Sequence, residues 1–144
     1  MRVTLSPGNV EGTISAPPSK SMTHRALILA ALAEGTSRVK SPLISDDTIA
    51  TMKVLEQLGV QLERKEDEVI IEGGLLSPPD HPLDCNESGT TMRLITSICA
   101  LTKGTCTITG GKSLSKRPMG PLLDALKQLG VVLESNDGKP PLTI

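Results

Sequence analysis

Three stretches of this chain carry residue types that could together hold a small anion. In the first, Pro17–Arg25, two prolines precede Ser19 and Lys20, and an apolar run follows. The prolines favour an extended approach, and Ser19 or Ser21 can cap the helix predicted from about Ser21 to Ala33. A helix N-terminus offers unpaired N–H groups and partial positive charge, so it attracts anions. The alternative interpretation is a capped core helix with two solvated cations.

The second stretch, Asp84–Arg93, leads into another apolar run. Gly89 would let backbone N–H groups approach a ligand closely, and Thr90 and Thr91 supply hydroxyls. Both predicted helices therefore start in a hydroxyl-rich turn and carry an arginine in their first turns. If both N-termini face one cleft, they favour the same ligand, although two helix caps without a ligand would show the same pattern.

The third stretch, Gly110–Pro121, is a loop with three glycines and three cations, Lys112, Lys116 and Arg117. Pro118 holds the backbone of Arg117 extended, and a planar guanidinium suits bidentate contact with a carboxylate or phosphate. The two lysines are equally compatible with plain solvated charge. Together with the two helix starts, the loop predicts a site for a small, multiply anionic ligand.

Composition excludes several other classes of function. The 144 residues have a net charge of -1 and contain no Phe, Tyr or Trp, which argues against a nucleic-acid partner. Three cysteines without a C-x-x-C pair and two distant histidines give little support to a metal site and favour buried thiols in a reducing compartment. The sequence shows no signal peptide and no membrane-length apolar run, so we expect a cytoplasmic protein.

Periodicity predicts a repeated β-α-β-α-β-β unit. The first copy is predicted to contain two strands around Pro7–Asn9, an all-round apolar helix buried on every side and ending at Gly35, a strand, a second helix capped by Asp46–Asp47 and ending at Gly59, and a hairpin. The strands are predicted at 3–5, 10–14, 37–43, 60–64 and 68–72.

The same order returns downstream. Arg25 matches Arg93 at an offset of 68, Gly35 matches Gly104 at 69, and the Leu-x-Gln-Leu-Gly-Val segments at 55–60 and 126–131 match at 71. Because a nearly constant offset relates the helices and hairpins of the two halves, the sequence indicates two copies of one unit. The alternative is chance similarity between the matched segments. The last predicted strand, 141–144, stops in mid-pattern, so we expect a fragment of a longer enzyme.

The chain resembles the 3-phosphoshikimate 1-carboxyvinyltransferase (EPSP synthase) family over all 144 residues, roughly the first third of a typical member. The motifs that carry the resemblance lie in the family's order: Pro18–Leu27, Asp46–Asp47, Ser88–Arg93 and Lys116–Leu122. It implies an α/β (α+β) fold of repeated units with buried helices and outer sheets, in a two-domain protein. Residues 1–16 would then lie with the other domain, and 17–144 would form the first two repeats, the second truncated.

The resemblance also implies an activity: transfer of the enolpyruvyl group of phosphoenolpyruvate to the 5-hydroxyl of shikimate 3-phosphate, without metal or cofactor. Lys20 matches a lysine that contacts both substrates and takes part in proton transfer. The substrate-binding positions are Lys20, Ser21 and Arg25 at shikimate 3-phosphate, and Gly89, Thr90 and Arg117 at or beside phosphoenolpyruvate. Two acid–base carboxylates of the family lie in its second domain, so this fragment is expected to need the missing C-terminal portion and to be inactive alone.

One departure and two alternatives remain open. Many family members have Asn where this chain has Glu87, and an anionic side chain there would repel phosphate unless it turns away or pairs with a cation such as Arg117. The related UDP-N-acetylglucosamine enolpyruvyl transferases place Lys-Asn at Lys20–Ser21 and usually a reactive Cys at Lys112, which weighs against them. The other alternative is a catalytically inert anion-binding module.

Overall fold

The computed structural model describes residues 2–144, which form two units of the same design. In chain order, the first unit contains α1 (Lys20–Leu32), β1 (Gly35–Lys40), α2 (Asp46–Gln57), β2 (Gln61–Arg64) and β3 (Glu68–Gly73). The second contains β4 (Leu83–Asp84), α3 (Gly89–Cys99), β5 (Thr107–Thr109), a short 3-10 helix (Leu114–Lys116), α4 (Gly120–Gln128), β6 (Glu134–Asn136) and β7 (Lys139–Thr143).

The two sheets confirm the predicted repeat. The first has the strand order β1-β3-β2 and is antiparallel throughout. The second has the order β4-β5-β7-β6, in which β5, β7 and β6 repeat that antiparallel arrangement and β4 pairs with β5 in parallel. In each sheet the predicted hairpin supplies an edge strand and the strand beside it: β2 and β3 in the first sheet, β6 and β7 in the second.

One aliphatic core joins the units. The helices pack in the order α1, α2, α3, with α1 against β1 and β3, α2 against β2 and β4, and α3 against β5. Along β3, Val69 and Ile71 are fully buried while their neighbours are not, as expected for a strand with one face on a core. In the second unit Ile108 and Leu142 hold the same role.

The prediction that α1 is buried on every side is wrong. Leu27 and Ile28 are buried, but Met22 is 62% and Leu29 is 66% exposed. The reason is that strands β1 and β3 and helices α2 and α3 make the main contacts with α1, and no element within residues 2–144 covers the side that carries Met22 and Leu29. All-round apolar character therefore did not decide how much of this helix is buried here.

The predicted N-terminal strands are absent from the described part of the chain. Residues 2–19 form neither helix nor strand, and their apolar side chains are exposed, from 67% at Val3 to 97% at Val10. Alternating apolar residues form a strand only where a partner strand and an apolar layer are available, and residues 2–144 supply neither for this segment. Met1 lies outside the described residues, and the assignment of 1–16 to another domain stays a prediction.

Two helix boundaries also differ from prediction. Ser45, not Asp46–Asp47, caps α2: its hydroxyl accepts from the Thr48 N–H, and the Thr48 hydroxyl accepts from the Ser45 N–H. Helix α1 ends at Leu32, so Gly35, with φ of 86°, begins β1 instead of ending the helix. No helix within residues 2–144 has the length and apolar character needed to cross a membrane.

Candidate anion-binding site between two helix starts

Lys20 is the first residue of α1. The Ser19 hydroxyl caps this helix by accepting the Met22 N–H at 3.4 Å, which places Lys20 at the open end. Its Nζ lies 2.6 Å from Asp47 Oδ2, in the first turn of α2. Both side chains are partly exposed, so the ion pair contributes only about 1 kcal/mol or less and leaves the lysine available to a ligand.

Gly89 is the first residue of α3. The Ser88 hydroxyl caps this helix by accepting the Thr91 N–H at 3.2 Å, so the second helix start is built like the first. A methyl group at Gly89 would lie 3.0 Å from Arg117 Nη1 and 3.5 Å from Arg93 Nη1. Two guanidinium groups therefore approach the backbone closely here, and glycine is the residue that leaves room for them.

The connection between β5 and α4 brings Arg117 to that helix start. Leu114, fully buried, anchors the 3-10 helix, and the Arg117 N–H donates to the Leu114 carbonyl at 2.9 Å. Arg117 itself is extended, with φ of -78° and ψ of 132°, as its position before Pro118 predicts. Arg93 Nη2 donates to the Pro118 carbonyl at 3.3 Å and so holds the other end of the turn.

These elements enclose a polar cavity of about 350 Å³. It brings together Lys20, Gly89, Thr90 and Arg117, all predicted from the sequence to belong to one site. The complete lining is Lys20, Asp47, Glu87, Gly89, Thr90, Arg93 and Arg117. Three cations beside two helix N-termini create the positive field that a small phosphorylated or carboxylated molecule requires.

Two predicted residues, Ser21 and Arg25, do not line this cavity; both side chains are exposed on α1. The serine caps give the reason. When the two helices are aligned on their caps, Ser19 with Ser88, Arg93 aligns with His24 and not with Arg25. Arg25 is one position further on and thus points about 100° around the helix. The offset of 68 between the arginines misaligned the two helices by one residue.

Asp47 and Arg93 line the cavity but were not among the predicted site residues. Both stood in the motifs used for the resemblance. The spacing of Arg93 from the Ser88 cap could have identified it, since the fifth residue of a helix lies about one turn above the first. No sequence signal showed that Asp47 would face Lys20 rather than act only as a helix-start carboxylate.

A buried chain of hydrogen bonds lies among the same three helices. His24 Nδ1 is 2.8 Å from the Thr51 hydroxyl, which is 2.7 Å from the Thr91 hydroxyl, and Thr91 donates to the Ser88 hydroxyl at 2.6 Å. His24 is fully buried, and its Nε2 has no hydrogen-bond partner within residues 2–144. The chain ties the start of α1 to α2 and to the cap of α3.

Burial lowers the pKa of the His24 imidazole below its ordinary value of 6.5. The Asp47 carboxylate opposes this shift, and the Lys20 cation adds to it. The imidazole is therefore neutral at pH 7, and the hydrogen-bonded chain carries no net charge into the core.

The three cysteines are buried free thiols. Burial, aided by the Asp84 carboxylate, raises the pKa of Cys85 to about 12. Burial also raises the pKa of Cys99, with a further contribution from Cys106. A thiol that stays protonated is a poor nucleophile, so Cys85 and Cys99 act as small apolar groups of the core.

A larger cavity, of about 700 Å³, lies on another face of α2. Its lining contains one cation, Lys53, against the carboxylates Asp46, Glu56 and Asp84. An anion would be repelled there, and none of the predicted site residues reaches it. Size alone is therefore a poor guide, and the smaller cationic cavity is the candidate site.

The fold and cavity define a repeat-built α/β protein with a cationic site between two helix starts. A profile described as EPSP synthase (3-phosphoshikimate 1-carboxyvinyltransferase) matches residues 5–144. The chain belongs to the EPSP synthase family.

Relatives named 3-phosphoshikimate 1-carboxyvinyltransferase agree with this assignment. The one from Methanothermobacter thermautotrophicus is 45% identical over 140 residues, covering 95% of this chain and 33% of its own length. The one from Halobacterium salinarum is 47% identical over 148 aligned positions, covering 100% and 34%. The solved EPSP synthase from Acinetobacter baumannii has a TM-score of 0.86 at 36% identity, covering 92% of this chain and 32% of its own. The chain thus spans about a third of the length of the relatives it matches.

Proposed function

We propose that this chain supplies part of the active site for transfer of the enolpyruvyl group of phosphoenolpyruvate to the 5-hydroxyl of shikimate 3-phosphate. The observation that carries the proposal is the convergence of Lys20, Gly89, Thr90 and Arg117 on one cationic cavity in a chain of this family. In the reaction, the hydroxyl oxygen adds to C2 of phosphoenolpyruvate while C3 gains a proton. The hydroxyl proton leaves as the C–O bond forms, and loss of phosphate from C2 and of a proton from C3 of the resulting tetrahedral intermediate then restores the double bond.

Phosphoenolpyruvate is assigned to the α3 side of the cavity. The Arg117 guanidinium offers paired N–H donors to its phosphate or carboxylate, and the helix start at Gly89 offers backbone N–H groups. Arg93, whose Nη1 also lies near Gly89, adds a second guanidinium charge there. The backbone N–H groups at the start of α3 are held in place by the helix and its Ser88 cap, so they stabilise developing negative charge without reorganising.

Shikimate 3-phosphate is assigned to the α1 side, where Lys20 lies between the two ligand positions. Ser21 and Arg25 are exposed beside this helix start, and we assign them to its phosphate. Lys20 must exchange its contact with Asp47 Oδ2 for a substrate oxygen. The same ammonium group can then deliver or accept a proton at the reacting centre.

The complete reaction needs groups beyond these residues. The cavity is open to solvent on the side where Lys20, Arg93 and Arg117 are exposed, and water weakens the field of these cations. Since the relatives are about three times as long as this chain, we assign closure of the site and the missing acid–base carboxylates to the remaining portion. The 144 residues alone should bind shikimate 3-phosphate weakly and turn nothing over.

Isothermal titration calorimetry with shikimate 3-phosphate tests the binding part. The heats should fall in Lys20→Ala and Arg25→Ala, whereas Lys53→Ala, on another face of α2, should titrate like the wild type. Equal heats from all four proteins would overturn the assignment.

Mixing the chain with the remaining portion of the Methanothermobacter relative, expressed separately, tests the activity. Phosphate should be released only when both substrates are present, and not with Lys20→Ala. Binding of both substrates by the mixture without phosphate release would favour an inert anion-binding module instead.

A further inference from the structure

Two carboxylates line the cavity, Asp47 and Glu87, and their negative charge opposes the binding of an anion. Asp47 is paired with Lys20, whereas Glu87 is not. Both oxygens of the Glu87 carboxylate accept backbone donors: Oε1 accepts the Ser113 N–H at 3.0 Å and Oε2 accepts the Leu114 N–H at 2.8 Å. The side chain therefore reaches across from the loop before α3 to the start of the 3-10 helix. It forms no ion pair with Arg117 among the described residues.

The neighbouring backbone makes the same connection. The Gly111 N–H donates to the Asn86 carbonyl at 2.6 Å, and Gly111 packs so closely on the Glu87 carboxylate that a methyl group would collide with it. The Ser115 hydroxyl closes the loop by donating to the Gly111 carbonyl at 2.6 Å. Hydrogen bonds thus join residues 86–87 and 110–115, two segments distant in sequence, into one local structure.

Arg117 depends on this local structure for its position. The carboxylate holds the first residues of the 3-10 helix, and the Arg117 N–H, at the other end, donates to the Leu114 carbonyl. From there the guanidinium reaches to within 3.0 Å of a methyl group placed at Gly89. A shift of Leu114 would therefore move Arg117 relative to the cavity.

We propose that Glu87 is a positioning residue: by binding the Ser113 and Leu114 N–H groups it holds Arg117 against the start of α3 and so strengthens anion binding. The proposal rests on the proposed function of this cavity. It explains how a carboxylate is compatible with the site, since both of its oxygens face backbone donors that partly neutralise its charge.

The proposal and a simple charge effect predict opposite signs. If Glu87 only adds negative charge to the cavity, Glu87→Gln removes a repulsion and phosphoenolpyruvate binds more tightly. If Glu87 positions Arg117, the same change weakens binding, because the amide keeps one acceptor but turns an N–H₂ donor towards a backbone N–H. We expect about fivefold weaker binding, the effect of losing roughly one hydrogen bond.

The experiment is an amide-resolved NMR titration of phosphoenolpyruvate into the whole chain and five variants. Glu87→Gln should bind about fivefold and Arg117→Ala about tenfold more weakly, and the double variant no more weakly than Arg117→Ala. Glu87→Asp, which keeps both acceptors, should recover part of the affinity. Asp84→Asn, which removes a carboxylate that accepts the Asn86 N–H in the same loop, should change affinity less than twofold.

Amide hydrogen exchange provides a readout that needs no ligand. Exchange at Ser113 and Leu114 should accelerate in Glu87→Gln while the thermal midpoint stays within a few degrees of the wild type. Unchanged exchange, affinity equal to or tighter than the wild type, or additive losses in the double variant would overturn the positioning role. Absence of phosphoenolpyruvate binding by the wild type would instead contradict the proposed function of the cavity.

Discussion

The two units follow the same path through space but differ at one connection. Between β1 and α2 the chain uses residues 41–45, whereas between β5 and α4 it uses residues 110–119, which include the 3-10 helix and Arg117. The shorter connection only caps α2 through Ser45; the longer one carries a cation into the cavity. Loop length on a repeated scaffold therefore separates a turn that only caps a helix from one that also brings a cation to a cavity.

The helix starts show a second difference. After equivalent serine caps, α1 begins with Lys20 and α3 with Gly89. The first unit supplies a charged side chain, and the second supplies space and backbone N–H groups for charges that come from elsewhere. The two copies of the repeated unit therefore contribute different groups to the same cavity.

The largest expected effect concerns the end of the first unit. At Gly73 a methyl group would collide with the backbone carbonyls of Ala30 and Ala33, in the last turn of α1, whereas the second unit has Ile144 at this point in the hairpin. Gly73→Ala should lower the free energy of unfolding by about 3 kcal/mol, measured by denaturant titration with circular dichroism. Gly120→Ala, in open space, should be neutral or slightly stabilising; equal effects at both positions would contradict the difference.

The next effect is pH-dependent and belongs to α1 alone, since Arg93 occupies the position of His24 in α3. Because the pKa of His24 is lowered on folding, the unfolded chain takes up its proton first as the pH falls below about 6.5, and stability falls with it. The steepest slope is about 1.4 kcal/mol per pH unit and levels off below the folded pKa.

Unfolding titrations over this pH range in the wild type and two variants measure that slope. His24→Gln should remove most of it and His81→Gln, at an exposed histidine, should keep it. The same pH dependence in all three proteins would assign acid sensitivity to the carboxylates instead.

A smaller effect tests the unlike helix starts. Gly89→Ala should weaken phosphoenolpyruvate binding about fivefold by displacing Arg117 Nη1, with little loss of stability because the end of an arginine side chain moves easily. Lys20→Ala should weaken binding by a similar factor through lost charge, and only this loss should shrink at high salt. Calorimetric titrations at two salt concentrations separate steric from electrostatic loss, and identical salt responses would count against the distinction.

The smallest effect is at the ion pair between Lys20 at the start of α1 and Asp47 at the start of α2, both in the first unit. Asp47→Asn should change the free energy of unfolding by less than about 1 kcal/mol, because the Lys20 and Asp47 side chains are 49% and 30% exposed. It should also tighten phosphate binding slightly, since Lys20 loses its competing partner. A loss of several kcal/mol would show that the pair is structural.

Local patterns predicted much of the fold and about half of the site. The Ser19 cap, the helix stop at Gly59 and the strand at 68–72 depend on short-range chemistry, and the repeat predicted that Lys20 and Gly89 would share a cleft. The local features depend on residues close by in the sequence, and the shared cleft depends on the repetition of one structural unit.

The wrong predictions concern contacts between distant residues. Exposure of Met22 and Leu29 depends on which elements lie beside α1, and the fate of residues 2–19 depends on a partner strand, neither of which the segments themselves encode. Arg25 does not line the cavity, and its predicted contact with shikimate 3-phosphate, which came from the resemblance, stays a prediction. Glu87 was left open, since only the folded chain shows which donors reach its carboxylate.

The outer border of β1 has a practical consequence for handling the protein. Among residues 2–144 no strand pairs with β1 on that side, whereas β5 in the other sheet pairs with β4 there. One edge of Gly35–Lys40 therefore has no partner strand for its backbone N–H and C=O groups. Lys40 places positive charge at its end, whereas the Arg38 guanidinium is paired with the Glu68 carboxylate at 2.8 Å, so only a weak charge repulsion opposes pairing of two copies there. That protection fades as salt increases, so stock solutions should stay clear longest in dilute buffer.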